Sequence, residues 1–111
     1  MDNVKNDIYY IGKILVDIKF LIGNTKDITL EELEGNEILC DSVLFRLIQI
    51  SENTKRLTTE FKTKHKEIPW HAIIGMRNRI VHEYGDVEFD IVYDTITKDI
   101  VELCQMLESL L

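Results

Sequence analysis

The sequence is poor in the residues that break helices and in those that cross-link chains. It has one Pro, five Gly and two Cys in 111 residues, a balance that excludes collagen-like and low-complexity chains and suits a mostly helical globular protein. Cys40 and Cys104 stand apart among apolar neighbours with no CxxC pairing, so buried thiols are expected rather than a disulfide. No apolar run approaches the roughly 18 residues of a membrane span. The start, MDNVKNDIYY, has acids where a signal peptide needs basic residues; a cytoplasmic protein with no membrane association is expected. GxxxxGK[ST], GxGxxG and HExxH patterns are also missing. His65, His71 and His82 lack zinc-ligand spacing and nearby cysteines, so neither a metal nor a cofactor is expected.

What is present fits one domain spanning 1–111, long enough for a single hydrophobic core. The net charge of −7 argues against a protein that coats nucleic acid by bulk attraction. The charge is uneven, however. Between Lys55 and Arg79 lie seven of the 13 basic residues against two acids, Glu60 and Glu67, a local charge of +5. That segment can attract a polyanion while the remaining surface repels it.

Apolar residues step by four and three from Val4 through Ile8, Ile11, Leu15, Ile18 and Ile22, predicting a first helix capped by Asp2 or Asn3 and left through Gly23-Asn24. Thr29-Leu30-Glu31-Glu32 has the spacing of a capping box and predicts a short helix ending at Gly35. A long helix is expected from about Asn36 to Lys62, with Ile38, Leu44, Leu47, Ile48, Ile50, Leu57 and Phe61 on its apolar side. Ser51 to Thr54 interrupt that stripe and are expected to be exposed rather than to face a polar pocket. After a charged connection, Pro69 suits a helix start, and a helix running to about His82 or Tyr84 is predicted, with Gly75 as a close crossing or a local weakness. Gly85-Asp86 ends it. Phe89, Tyr93, Ile96, Ile100, Leu103, Leu107 and Leu110 predict a last helix. The fold class expected is all-α, an antiparallel bundle of four main helices plus one short helix. Ile14, Leu21, Met106 and Leu111 exceed what these stripes need and are expected at an interface.

The chemistry concentrates in Pro69 to Val87, PWHAIIGMRNRIVHEYGDV, where Arg77, Asn78, Arg79, His82 and Tyr84 fall within eight residues. Histidine can take and give a proton near neutral pH, and arginine presents a fork of donors fitted to phosphate oxygens. His82 could assist attack by a ribose 2′-hydroxyl or protonate the leaving oxygen, with Arg77 stabilising the charge that develops on phosphate. On a helix Asn78 and Arg79 lie four and three residues before His82 and can approach it. Arg77 lies five before it, so the two side chains diverge by about 140°. A loosened helix end, a folded-back arginine or a second copy of the chain would be needed to bring them together. Taken alone, such a cluster also fits a helix terminus carrying favourable cations.

The spacing Arg77-Asn78-x3-His82-x-Tyr84, near the end of the penultimate helix of a small bundle, resembles the signature of HEPN domains. The wider text IPWHAIIGMRNRIVHEYGDV looks like the toxins of HEPN/MNT (type VII) toxin-antitoxin pairs. Where relatives often read Gly-Glu in the long third helix, this chain has Ser51-Glu52. The resemblance implies a homodimeric, metal-independent ribonuclease with Arg77 and His82 catalytic. Asn78, Arg79 and Glu52 would then position the RNA substrate. It also implies a minimal nucleotidyltransferase antitoxin that binds the toxin or transfers AMP to Tyr84. The alternative is a HEPN dimer without nuclease activity that serves as a regulatory partner of the nucleotidyltransferase.

Overall fold

The computed structural model describes residues 6–80 and 86–111; Val4, Val81, His82, Glu83, Tyr84 and Gly85 lie outside the described residues. The chain is all-α, with no strand among the described residues. Helix α1 spans Asp7–Asn24, α2 Leu30–Glu34, α3 Glu37–Lys55, α4 Thr59–Lys64, α5 Trp70–Ile74 and α6 Met76–Ile80. The last helical stretch comprises α7 (Phe89–Asp94), a π-helical turn (Thr95–Asp99) and α8 (Ile100–Glu108). The bundle consists of α1, α3, the pair α5–α6 and the C-terminal stretch, with α2 and α4 as short additional helices where one was expected.

The start of α1 lies later than the periodicity indicates. Asn6, in extended conformation, caps the helix by accepting the Tyr9 N–H at 2.9 Å, so the helical stripe begins at Asp7 and Ile8 is left about half exposed. The buried face is Ile11, Ile14, Leu15, Ile18 and Leu21. Ile14 and Leu21 therefore belong to the protein's own core, contrary to their expected place at an interface; Met106 and Leu111 are exposed. Gly23 and Asn24 remain helical. The exit is made by Thr25, whose N–H and hydroxyl both donate to the Leu21 carbonyl, and the left-handed residue of this connection is Asp27, with φ of 59°, a conformation aspartate tolerates better than most residues.

The capping box of α2 forms on both sides. Thr29 accepts the Glu32 N–H at 3.1 Å, and Glu32 accepts the Thr29 N–H at 2.9 Å. Helix α3 is capped by Asn36 and buries Cys40, Val43, Leu47 and Ile50; Ile38, expected in the stripe, is exposed.

Two expectations for α3 are corrected. Ser51, Asn53 and Thr54 are buried, not exposed: α3 is packed by α1 and also by α5 and α6, and the two hydroxyls find acceptors. Thr54 donates to the Ile50 carbonyl at 2.7 Å, and Ser51 donates to the Ile74 carbonyl at 2.6 Å. The helix also ends at Lys55 instead of continuing to Lys62. The carboxylate of Asp7 accepts both the N–H and the hydroxyl of Thr58, each at 2.8 Å. The Thr58 side chain in turn caps α4 by accepting the Phe61 N–H. A polar tie spanning 51 residues thus starts a new helix where local periodicity alone shows none.

Gly75 is a local weakness rather than a crossing point. It closes α5 in right-handed conformation, its N–H bonded to the His71 carbonyl at 3.0 Å. The carbonyl of Ile74 at this break is the one that Ser51 satisfies. Pro69 precedes α5 as its cap residue. In the C-terminal stretch, Thr95 and Thr97 donate their hydroxyls to the carbonyls of Ile91 and Tyr93, both at 2.7 Å. Such back-bonding competes with the backbone ladder and accompanies the π turn. Val92, Ile96, Ile100, Leu103 and Leu107 close the core from this side. Cys40 and Cys104 are buried and free, as expected; burial pushes both thiol pKa values up, and neighbouring carboxylates add to the effect. Among the described residues no helix is long and apolar enough to cross a membrane.

Candidate active site

The described part of the candidate site is α6, MRNRI. Its two apolar ends, Met76 and Ile80, are buried, and four residues of separation place both on the core side. The three polar residues between them, Arg77, Asn78 and Arg79, consequently face solvent. Arg77 donates from Nη1 to Oδ1 of Asn78 at 3.4 Å, so these two motif residues act as neighbours. Arg79 turns back along the helix pair and donates to the Ala72 carbonyl at 3.3 Å. It borders a pocket of about 230 Å³ between α5–α6 and the C-terminal stretch, shared with Met76, Asp99, Glu102 and Met106. The structure therefore joins Arg77 with Asn78 and directs Arg79 elsewhere.

Beyond Ile80 come the motif positions His82 and Tyr84, outside the described residues. Their flanks are tied together: the N–H of Glu88 donates to the carbonyl of Ile80 at 3.1 Å. The chain leaving α6 and the chain entering α7 thus meet through a backbone hydrogen bond.

Glu52 is half-buried and forms an ion pair with Lys55 at 3.0 Å. It sits next to Ser51, whose hydroxyl holds the last carbonyl of α5. Ser51 is the residue that sequence reasoning undervalued. Its contact fixes the break from which α6 departs, and the only trace of it in the sequence is a polar interruption in an apolar stripe. His65 is partly buried, packed at a tilt against Phe61 with ring centres 4.7 Å apart, and lies 3.9 Å from the Glu67 carboxylate, whereas His71 is exposed. Among the described residues no group of three or more His, Cys, Asp or Glu is placed to hold a metal ion.

A family model described as "Ribonuclease HepT-like" matches residues 14–110. The chain belongs to the HepT-like ribonuclease family. A relative from Caldanaerobacter subterraneus subsp. tengcongensis named "Putative RNase TTE0752" is 36% identical over 102 residues, covering 92% of this chain and 91% of that protein. "Probable ribonuclease HepT" of Thermococcus cleftensis is 30% identical over 106 residues, covering 91% and 92% respectively. No solved structure matches the chain at a significant level. The family match takes in the HepT-like chain from the middle of α1 almost to its end, so α6 and the positions of His82 and Tyr84 all fall inside it.

Proposed function

We propose that the protein is the toxin of a HEPN/MNT toxin-antitoxin pair, a ribonuclease that cleaves RNA without a metal ion. The observation that carries this reading is the presentation of Arg77 and Asn78 side by side to solvent from α6, immediately before His82, in a chain of the HepT-like ribonuclease family. An exposed guanidinium beside an amide suits a phosphate and its ribose. In this proposal His82 takes the proton of a ribose 2′-hydroxyl as its oxygen attacks the adjacent phosphorus, or protonates the departing 5′-oxygen. Arg77 stabilises the added charge on the phosphate, and Asn78 orients the substrate. Arg79 and Glu52 hold flanking parts of the RNA. The active form is a homodimer, in which a second copy supplies the convergence of Arg77 with His82 that one regular helix lacks.

Control is by a minimal nucleotidyltransferase encoded beside the toxin. AMP on Tyr84 adds bulk and a negative phosphate within two residues of His82, where it excludes and repels the RNA backbone.

One experiment tests the whole reading: expression of wild-type, His82→Ala and Arg77→Lys chains with and without the neighbouring nucleotidyltransferase. Growth, RNA integrity and the mass of the Tyr84 peptide are measured. His82→Ala should lower cleavage by about 10³-fold and relieve toxicity with helicity unchanged. Arg77→Lys should recover little, since an ammonium lacks the bidentate fork. Chelator should leave wild-type cleavage intact. Full cleavage by purified His82→Ala protein removes the mechanism; neutralised toxin with unmodified Tyr84 leaves binding, not AMP transfer, as the means of control.

A further inference from the structure

Helix α4, the connection after it and the start of α5 border a shallow, open groove of about 480 Å³ with Ile68, Pro69 and Trp70 as its apolar part. Its lining brings together Lys62, Lys66 and His71 with the hydroxyls of Thr59 and Thr63, and no carboxylate lines it. On α4, Thr59 and Thr63 are four residues apart and share one side of the helix, while Lys62 stands in its last turn and Lys66 in the connection that follows it; both lysines line the groove. Three other lysines of the protein are neutralised: Lys19 by Glu108 at 3.2 Å, Lys55 by Glu52 at 3.0 Å and Lys98 by Asp94 at 3.8 Å. Among the described residues neither Lys62 nor Lys66 has such a partner. In a chain of net charge −7, a groove lined by two unpaired lysines and two hydroxyls, with no carboxylate in its lining, is a place where a polyanion meets attraction instead of repulsion.

The groove is also held in shape. Asp7 fixes the start of α4 through Thr58. The indole N–H of buried Trp70 donates to the carbonyls of Lys62 and His65 at 3.1 and 3.0 Å, and the Phe61 and Trp70 rings pack with centres 6.1 Å apart. Cations on a fixed frame need less ordering when a ligand arrives. His71, at the groove's edge, belongs to α5, which leads through Gly75 into α6, the helix that presents Arg77 and Asn78.

We propose that this groove binds two phosphates of the single-stranded RNA whose scissile bond lies at the candidate active site, with Lys62 and Lys66 taking one phosphate each and the threonine hydroxyls donating to their free oxygens. The proposal rests on the RNA-cleaving reading and adds a docking site for the flanking strand. Affinity for RNA then depends on strand length and salt in a way that Arg77 and His82 alone do not produce.

The test measures binding of an unstructured oligoribonucleotide to the full chain carrying His82→Ala, so that the RNA stays uncut, across a range of salt. It compares that protein with the same protein carrying K62Q/K66Q. A second double variant, K19Q/K98Q, removes equal charge elsewhere. Two lost phosphate contacts on a single strand make the slope of log K against log salt shallower by about 1.4, which at 0.1 M salt is about 25-fold in affinity. With His82 intact, K62Q/K66Q should raise KM for long RNA while kcat is kept. An effect of K62Q/K66Q no larger than that of K19Q/K98Q overturns the proposal, as does a loss confined to binding of the nucleotidyltransferase, which would make the groove a protein-docking surface. Circular dichroism confirms that each variant folds. A wild-type chain that binds RNA through Lys62 and Lys66 but does not cut it leaves the groove standing and removes the catalytic reading instead.

Discussion

Asp17 shows how a single charged residue is placed by the fold. It is buried on α1, and its carboxylate accepts a hydrogen bond from Arg46 of α3 at 2.8 Å, while the same guanidinium lies 3.9 Å from the centre of the Phe20 ring. Removing one partner of such a pair leaves the other desolvated and unpaired, which costs more than the pair contributes intact. Asp17→Ala should therefore lower unfolding stability by about 2 kcal/mol, measured by urea denaturation; a loss no greater than that of the exposed control Asp90→Ala would show the pair to be immaterial. Ser51 teaches a similar lesson. Its hydroxyl occupies a carbonyl of α5, a contact no local pattern reveals, because its partner is 23 residues away.

At the scale of elements, α1 and α3 are long and continuous, whereas the stretch from Thr58 to Ile80 is divided into the short helices α4, α5 and α6. The breaks at Thr58 and Gly75 have different origins. Thr58 is captured by Asp7, whereas Gly75 keeps an ordinary right-handed conformation, and a Cβ there would meet the His71 carbonyl oxygen at 3.4 Å, an ordinary contact. Nothing in its backbone demands glycine. Gly75→Ala should thus raise stability by about 0.5 kcal/mol by restricting the unfolded chain, read as a higher midpoint in thermal unfolding. A fall in stability would mean that α5 and α6 need the freedom of glycine at their joint. If the break also positions Arg77 and Asn78, the same variant should lower RNA cleavage even as it stabilises the fold.

At the scale of the whole molecule, the proposed site asks for more than one chain. Arg77 and Asn78 stand exposed on α6, and Val16, Ile38, Phe45 and Leu111 leave substantial apolar surface uncovered, which favours self-association. The protein should sediment as a dimer at micromolar concentration. Mixing inactive Arg77→Ala and inactive His82→Ala chains should restore cleavage if each site draws its arginine and histidine from different copies, because one of the two sites is then intact. No recovery in a verified mixed dimer places both residues in the same chain. The sequence by itself determined the helical class, the capping box of α2, the free buried cysteines and the family, since each rests on spacing or composition within a few residues or on a pattern spread along the chain. Only the tertiary structure decided that α3 stops at Lys55, that Ser51 and Thr54 are interior, that Ile14 and Leu21 are core, and that Lys62 and Lys66 line one groove. Those outcomes depend on contacts between residues far apart in the chain, where burial and hydrogen-bond partners come from other helices and override local periodicity.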